Sequence, residues 1–214
     1  DKSPFEEYNF SGREFAGLEG LRVFQQFMVS KWKPGESHSY SNVNYMILSY
    51  IIEKISRKSI NNYLRENVFA PLGMPFANVN LKEDGTDAYC KGYLWKEDHF
   101  SALPHQPQFN AGNGSLNASA IDYAHSLQAF LNGWKTASGQ FLSEQILIDS
   151  ETPHTYLTAK AGFKDSYAYG NESMDINGQI FRGHLGAISS YLSAFLYSRK
   201  LGLGFAFSTN THNE

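Results

Sequence analysis

Residues 33–58 read KPGESHSYSNVNYMILSYIIEKISRK, and this stretch decides the fold. Its opening, Lys33-Pro34-Gly35-Glu36, is a break, because proline cannot continue a helix and glycine suits a turn. Its close is a helix over Ser41 to Lys58, in which Leu48, Ile51, Ile52 and Ile55 recur at i, i+3, i+4 and i+7 on one stripe. Lys54, Arg57 and Lys58 end it, where cations complement the helix dipole. Between break and helix stands Tyr40-Ser41-Asn42. Ser41 reads as the helix N-cap, which sets a phenol and an amide on either side of a helix start.

Working outward, Phe15, Leu18, Leu21, Val23, Phe24 and Phe27 have a spacing that predicts a helix from about Gly12 to Lys31. Downstream, Ser59 caps a further helix running through Phe69, and Pro71-Leu72-Gly73 ends it. Tyr89 to Trp95 reads as a short strand and Phe109 to Asn117 as a Gly/Asn loop. Ala118 to Leu131 is helical, with Ile121, Leu127, Phe130 and Leu131 as core positions and Gly133 just past the end. The last part changes period. Gln179 to Gly186, Tyr191 to Arg199 and Leu203 to Ser208 read as strands, joined by turns at Ala187-Ile188-Ser189 and Lys200-Leu201-Gly202. Helices first and hairpins last predict one α+β domain over residues 1–214, with helices packed on an antiparallel sheet.

With 214 residues, 42% hydrophobic and 15% aromatic, the chain can bury one substantial core. A formal charge of −3 and scattered basic residues argue against nucleic acid as a partner. No apolar run approaches the roughly 18 residues of a membrane span. The single cysteine, Cys90, excludes an internal disulfide and reads as a buried or half-buried structural thiol. The seven histidines show neither His-x-His nor His-Glu-x-x-His spacing, so no metal and no cofactor is expected.

Several stretches now line up. Pro34-Gly35-Glu36, Tyr40-Ser41-Asn42, the helix to Ile55 and Pro71-Leu72-Gly73-Met74 come first. Ala111-Gly112-Asn113-Gly114-Ser115 with Ile121-Asp122 follows, and Gly183-His184-Leu185-Gly186-Ala187 comes last. In order and spacing, from about residue 30 to the C-terminus, this resembles the serine β-lactamase and penicillin-binding protein superfamily, in its class C-like esterase and D-aminopeptidase branch. No single triplet carries that resemblance; their succession does. It implies a bacterial serine hydrolase that attacks an ester, amide or β-lactam carbonyl of a small-molecule or peptide substrate by an acyl-enzyme route. It also favours a periplasmic or other extracytoplasmic compartment.

A serine hydroxyl attacks a carbonyl only after losing its proton to a neighbouring base. By resemblance, Tyr40 relays that proton, although a free phenol pKa of about 10 demands nearby cations before it can act as a base. Asn42 would hydrogen-bond a lysine and a substrate amide. His184 stands where many members carry lysine; it would line the cleft, assisting the relay or binding a carboxylate. Gly186 would let substrate lie against the strand, and the Ala187 N–H would form half of an oxyanion hole. Asn113 borders the cleft or belongs to a plain loop. Histidine in place of a permanent cation leans the reading toward esterase or D-amino-acid peptidase over β-lactamase.

The nucleophile is the difficulty. The one Ser-x-x-Lys in the sequence is Ser30-Lys31-Trp32-Lys33. Serine and lysine one turn apart must share a helix face, yet Pro34-Gly35 stops the helix at once. A short loop alone separates Ser30 from Tyr40, where the superfamily places much of its helical region. Ser30 is therefore expected to be a decoy. The expectation is an incomplete domain, inactive alone, without the N-terminal strands and C-terminal helix of the fold. The alternative is a non-catalytic binding or sensor domain that kept the cleft. Either way Leu203 to Ser208 is expected to present an open edge and face, calling for a partner chain or oligomer to complete the sheet.

Overall fold

The computed structural model describes residues 29, 33, 38–79, 89–103, 112–157, 165–188 and 190–212. The helix expected over Gly12 to Lys31, and Ser30 with it, lie outside the described residues.

The motif helix forms as α1, Asn42–Ser56, and ends on Arg57 in the left-handed conformation at φ 58°. Ser41 holds the N-cap position, as expected, although its hydroxyl makes no capping bond. The backbone explains this: Ser41 has ψ 115°, whereas the capping serines Ser59, Ser119 and Ser143 have ψ of 149°, 166° and 153°. The apolar stripe is also less buried than its period suggests. Ile52 packs against the core, while Leu48, Ile51 and Ile55 are exposed.

Ser59 accepts from the Asn62 N–H and opens α2, Ile60–Leu64, which widens into one π-helical turn over Arg65–Phe69. Gly73, at φ +69°, turns the chain out of it. The helix α3, Ala120–Leu131, begins with a capping box between Ser119 and Asp122. That box fixes the helical phase: Asp122 turns fully inward and Ile121 outward, so Ile121 is not a core residue. Leu127 is buried as expected. A fourth helix, α4 (Glu144–Glu151), was not signalled by the sequence.

Strands β1 (Asn78–Val79) and β4 (Leu116–Asn117) form a small ladder; β2 (Tyr93–Lys96) and β3 (His99–Ala102) form a hairpin joined by β13 (Thr211–His212). A further hairpin pairs β5 (Lys135–Thr136) with β6 (Gly139–Gln140). The main sheet contains β7 (Thr155–Leu157), β8 (Asp165–Tyr167), β9 (Glu172–Ile176), β10 (Gln179–Ile188), β11 (Tyr191–Ser198) and β12 (Leu203–Thr209). Its order is β12-β11-β10-β9-β8-β7, antiparallel throughout. The last three strands are the predicted ones, although β10 runs on to Ile188 and shortens the first turn. The fold is thus α+β, with helices packed on an antiparallel sheet.

One core joins the layers. Ile60, Phe69, Leu72, Met74, Val79, Trp134 and Leu147 are buried together, and Phe130 packs against them. Phe130 then reaches the sheet, with ring centroids 5.1 Å from Phe195 and 4.8 Å from Tyr197. Burying rings of this size is the largest apolar contribution per residue available to a small domain. On the sheet's far edge, Leu203, Phe205 and Phe207 of β12 are exposed. Cys90, expected to be buried or half-buried, is an exposed free thiol. It precedes β2 in a segment tied down through its backbone, where the Cys90 carbonyl accepts from the Tyr191 hydroxyl at 2.6 Å.

Candidate active site

Two elements from opposite ends of the sequence meet here. Tyr40 immediately precedes the cap of α1, and His184 lies in β10. Their rings stand 5.9 Å apart, tilted by 38°. Glycines stand directly before His184 and two residues after it, at Gly183 and Gly186. Gly183 has φ +145°, and a Cβ there would sit 1.7 Å from the Phe195 carbonyl oxygen of β11. A Cβ on Gly186 would come within 2.5 Å of Ser193 Oγ. Gly183 cannot carry a side chain if the strands are to close, whereas at Gly186 only the Ser193 hydroxyl would have to turn away.

Asn113 is positioned by glycines as well. A Cβ on Gly112, at φ +94°, would stand 1.9 Å from Ser49 Oγ and 2.6 Å from the Tyr45 carbonyl of α1. One on Gly114 would reach within 2.9 Å of Ile188 Cδ1 at the end of β10. The turn that carries Asn113 is therefore clamped between the motif helix and the motif strand. Asn113 Oδ1 is buried without a hydrogen-bond partner among the described residues. Asn42 is exposed at the first position of α1, and Ala187 is exposed opposite Leu192 in the ladder. The structure thus brings Tyr40 and His184 together and sets Asn113 between their two elements.

Four residues that sequence reasoning did not single out complete the cluster. Tyr167 of β8 meets His184 Nε2 with its hydroxyl at 3.1 Å, its ring edge-on at 5.9 Å. It also packs 6.3 Å from Tyr40 and 5.7 Å from His38. Tyr45, in the first turns of α1, lies close enough to Tyr167 to push its phenol upward. Glu172 of β9 pairs with both Tyr167 and Gly183 across the ladder. Nothing in the sequence ties Tyr167 or Glu172 to Tyr40, since β8 and β9 are short and lack apolar alternation. Tyr45 and Ser49, spaced i, i+4 beyond the motif, were the one readable signal of an α1 face turned inward.

The electrostatics oppose a phenolate. Partial burial pushes the Tyr40 hydroxyl above its ordinary range, and Tyr45 and Glu172 push it the same way. Tyr167 is raised further, by burial first and then by Tyr45, Tyr40 and Glu172 nearby. Each of these groups disfavours negative charge on a phenol oxygen. Tyr40 can donate or relay a proton here; to abstract one it needs a cation that these residues do not provide. Among the described residues no group of three or more His, Cys, Asp or Glu is placed to hold a metal ion, and no helix is long and apolar enough to cross a membrane.

The family model described as Beta-lactamase matches residues 13–214. The chain is 23% identical over 185 residues to "Protein flp" of Staphylococcus aureus, covering 85% of this chain and 35% of that protein. It is 36% identical over 124 residues to a "Putative D-alanyl-D-alanine carboxypeptidase" of Escherichia coli, covering 48% of this chain and 29% of that one. The chain therefore spans about a third of the length of these curated relatives. Among solved structures, the octameric penicillin-binding protein homologue from Pyrococcus abyssi superposes with a TM-score of 0.75 at 24% identity, over 90% of this chain and 43% of that one. The D-amino acid amidase from Ochrobactrum anthropi does so with a TM-score of 0.73 at 22% identity, over 95% and 64%.

Proposed function

Because this chain belongs to the beta-lactamase family, we propose that it supplies two walls of a serine hydrolase cleft acting on an ester, amide or β-lactam carbonyl by an acyl-enzyme route. The observation that carries the reading is the meeting of Tyr40 and His184, whose rings lie 5.9 Å apart. In this reading Tyr40 returns a proton to the leaving group, a role that suits a phenol whose surroundings keep it protonated. Asn42 hydrogen-bonds the substrate amide or carbonyl at the helix start. His184 lines the opposite wall. Gly186 and Ala187 present backbone to the acyl group, and the Ala187 N–H serves the developing oxyanion. Asn113, whose side-chain oxygen is buried with no partner among the described residues, would accept from a substrate donor.

A small-molecule or peptide substrate with a D-configured residue fits the names of the amidase and carboxypeptidase relatives. The exposed Leu203, Phe205 and Phe207 on β12 support a further covering layer, from additional polypeptide or from a second copy. We take residues 1–214 as one domain whose nucleophile is not Ser30. A second reading, a binding domain that keeps the cleft without chemistry, draws on that same lack of a suitable Ser-x-x-Lys and on the absence of a cation acting on Tyr40 among the described residues.

The test is intact-mass spectrometry with peptide mapping after fluorophosphonate treatment, on these 214 residues and on the full-length gene product. The hydrolase reading expects a stoichiometric adduct on the full-length product and none on residues 1–214. An adduct at Ser30 would overturn the decoy assignment. No adduct on either sample would favour the binding domain.

A further inference from the structure

We infer that Tyr167 is the positioning residue that fixes the tautomer and aim of His184; the inference rests on reading His184 as a cleft residue. His184 Nδ1 lies against the Leu185 carbonyl of its own strand. A carbonyl oxygen only accepts, so Nδ1 carries a proton, and in the neutral ring Nε2 then offers a lone pair. The Tyr167 hydroxyl meets that lone pair at 3.1 Å. Its ring stands nearly perpendicular to the imidazole, at 87°, with centroids 5.9 Å apart. Such a contact aims the hydroxyl from the side and resists rotation of either ring.

Tyr167 is suited to this task because it remains a donor. Burial first, and the neighbouring Tyr45, Tyr40 and Glu172, keep its proton in place. The ladder sets its position: Glu172 lies opposite Tyr167 on one side and opposite Gly183 on the other, so His184 follows directly on that row. The result is a cluster of three groups, Tyr45 from the helix, Tyr167 from β8 and His184 from β10. It ties the Tyr-x-Asn element to the Gly-His-x-Gly element through side chains that neither motif contains. With Nε2 occupied the ring is held 5.9 Å from that of Tyr40. Without the Tyr167 hydroxyl the ring can turn, and the proton can move to Nε2, where free imidazole side chains prefer it.

The experiment is ¹⁵N NMR of the imidazole nitrogens in the full-length gene product, comparing wild type with Tyr167→Phe and Tyr45→Phe. Wild type is expected to show His184 protonated at Nδ1 with Nε2 bare. Tyr167→Phe should shift it toward the Nε2-protonated form and lower kcat for a small activated ester about five- to tenfold, the size of one lost hydrogen bond, with KM little changed. Tyr45→Phe should move both readouts the same way by less. An unchanged Nδ1-protonated tautomer in Tyr167→Phe, or an Nε2-protonated one in wild type, would overturn the inference and leave the hydrolase reading intact. A tautomer shift accompanied by full hydrolysis in Tyr40→Phe and His184→Ala would instead remove the hydrolase reading.

Discussion

Replacing Glu151 with leucine tests how the helical layer is locked to the sheet. Glu151 ends α4 and is 7% exposed. Its carboxylate accepts from Arg199 Nε at 3.0 and 3.1 Å, from Arg199 Nη2 at 2.6 Å and from the Tyr197 hydroxyl at 3.0 Å. The two partners would fare differently. Tyr197 is 1% exposed, so its hydroxyl finds no water, and an orphaned buried donor costs about 1–3 kcal/mol. The Arg199 side chain is 37% exposed and can turn to solvent, so its half of the pair is worth about 1 kcal/mol or less. The loss should total about 1–4 kcal/mol, read as a lower urea midpoint at constant m-value. Removing both buried partners leaves no orphan, so Glu151→Leu with Tyr197→Phe should be about 1–2 kcal/mol more stable than Glu151→Leu alone. A single-variant loss below about 0.5 kcal/mol, or a double variant that adds the full cost of both changes, would refute this reasoning.

Three further outcomes follow from other contacts. Asp122 is fully buried and accepts from the Ser119 N–H and hydroxyl, both at 2.8 Å, and from the Phe76 N–H at 3.2 Å. Asp122→Ala should therefore lose about 2–4 kcal/mol in thermal or urea unfolding, and a loss under about 1 kcal/mol would deny the cap its role. Gly183→Ala, with its Cβ 1.7 Å from the Phe195 carbonyl, should cost at least about 3 kcal/mol and speed amide exchange along β10 and β11; near-native exchange would contradict the close approach. Tyr197 is raised by burial first and then by the charge and hydrogen bond of Glu151, against the opposing Arg182 and Arg199. Above pH about 10 the unfolded state releases a proton that the folded state keeps, so stability is whole below that pH and falls above it by about 1.4 kcal/mol per pH unit. Tyr197→Phe should flatten the alkaline fall in Tm, and an equally steep fall would exclude Tyr197 as its source.

The parts legible in the sequence are those where periodicity and chain punctuation agree. The helix at Asn42–Ser56, the Ser119-capped helix and the three final strands were all readable, since each has an apolar period bounded by a cap, glycine or turn. Burial was less legible. A helical stripe says which residues share a face but not whether anything covers it, and Leu48, Ile51 and Ile55 remain exposed. Strands β7, β8 and β9 escaped notice because they are 3, 3 and 5 residues long and β9 carries Glu172 and Asp175 within it. With them went Tyr167 and Glu172, whose importance comes from sheet order. In a sheet, neighbours are chosen by register, and register between strands of irregular composition leaves no local trace.

The Tyr40–His184 pairing is open to one direct kinetic measurement. It is kcat/KM for a small activated ester with the full-length gene product, wild type against Tyr40→Phe. A phenol that shuttles a proton in the transition state contributes roughly 10²-fold or more, so the variant should lose at least about two orders of magnitude while remaining folded. Hydrolysis by Tyr40→Phe within about twofold of wild type would mean that Tyr40 serves only as an aromatic contact at a helix start, and would contradict the account of this cleft as catalytic.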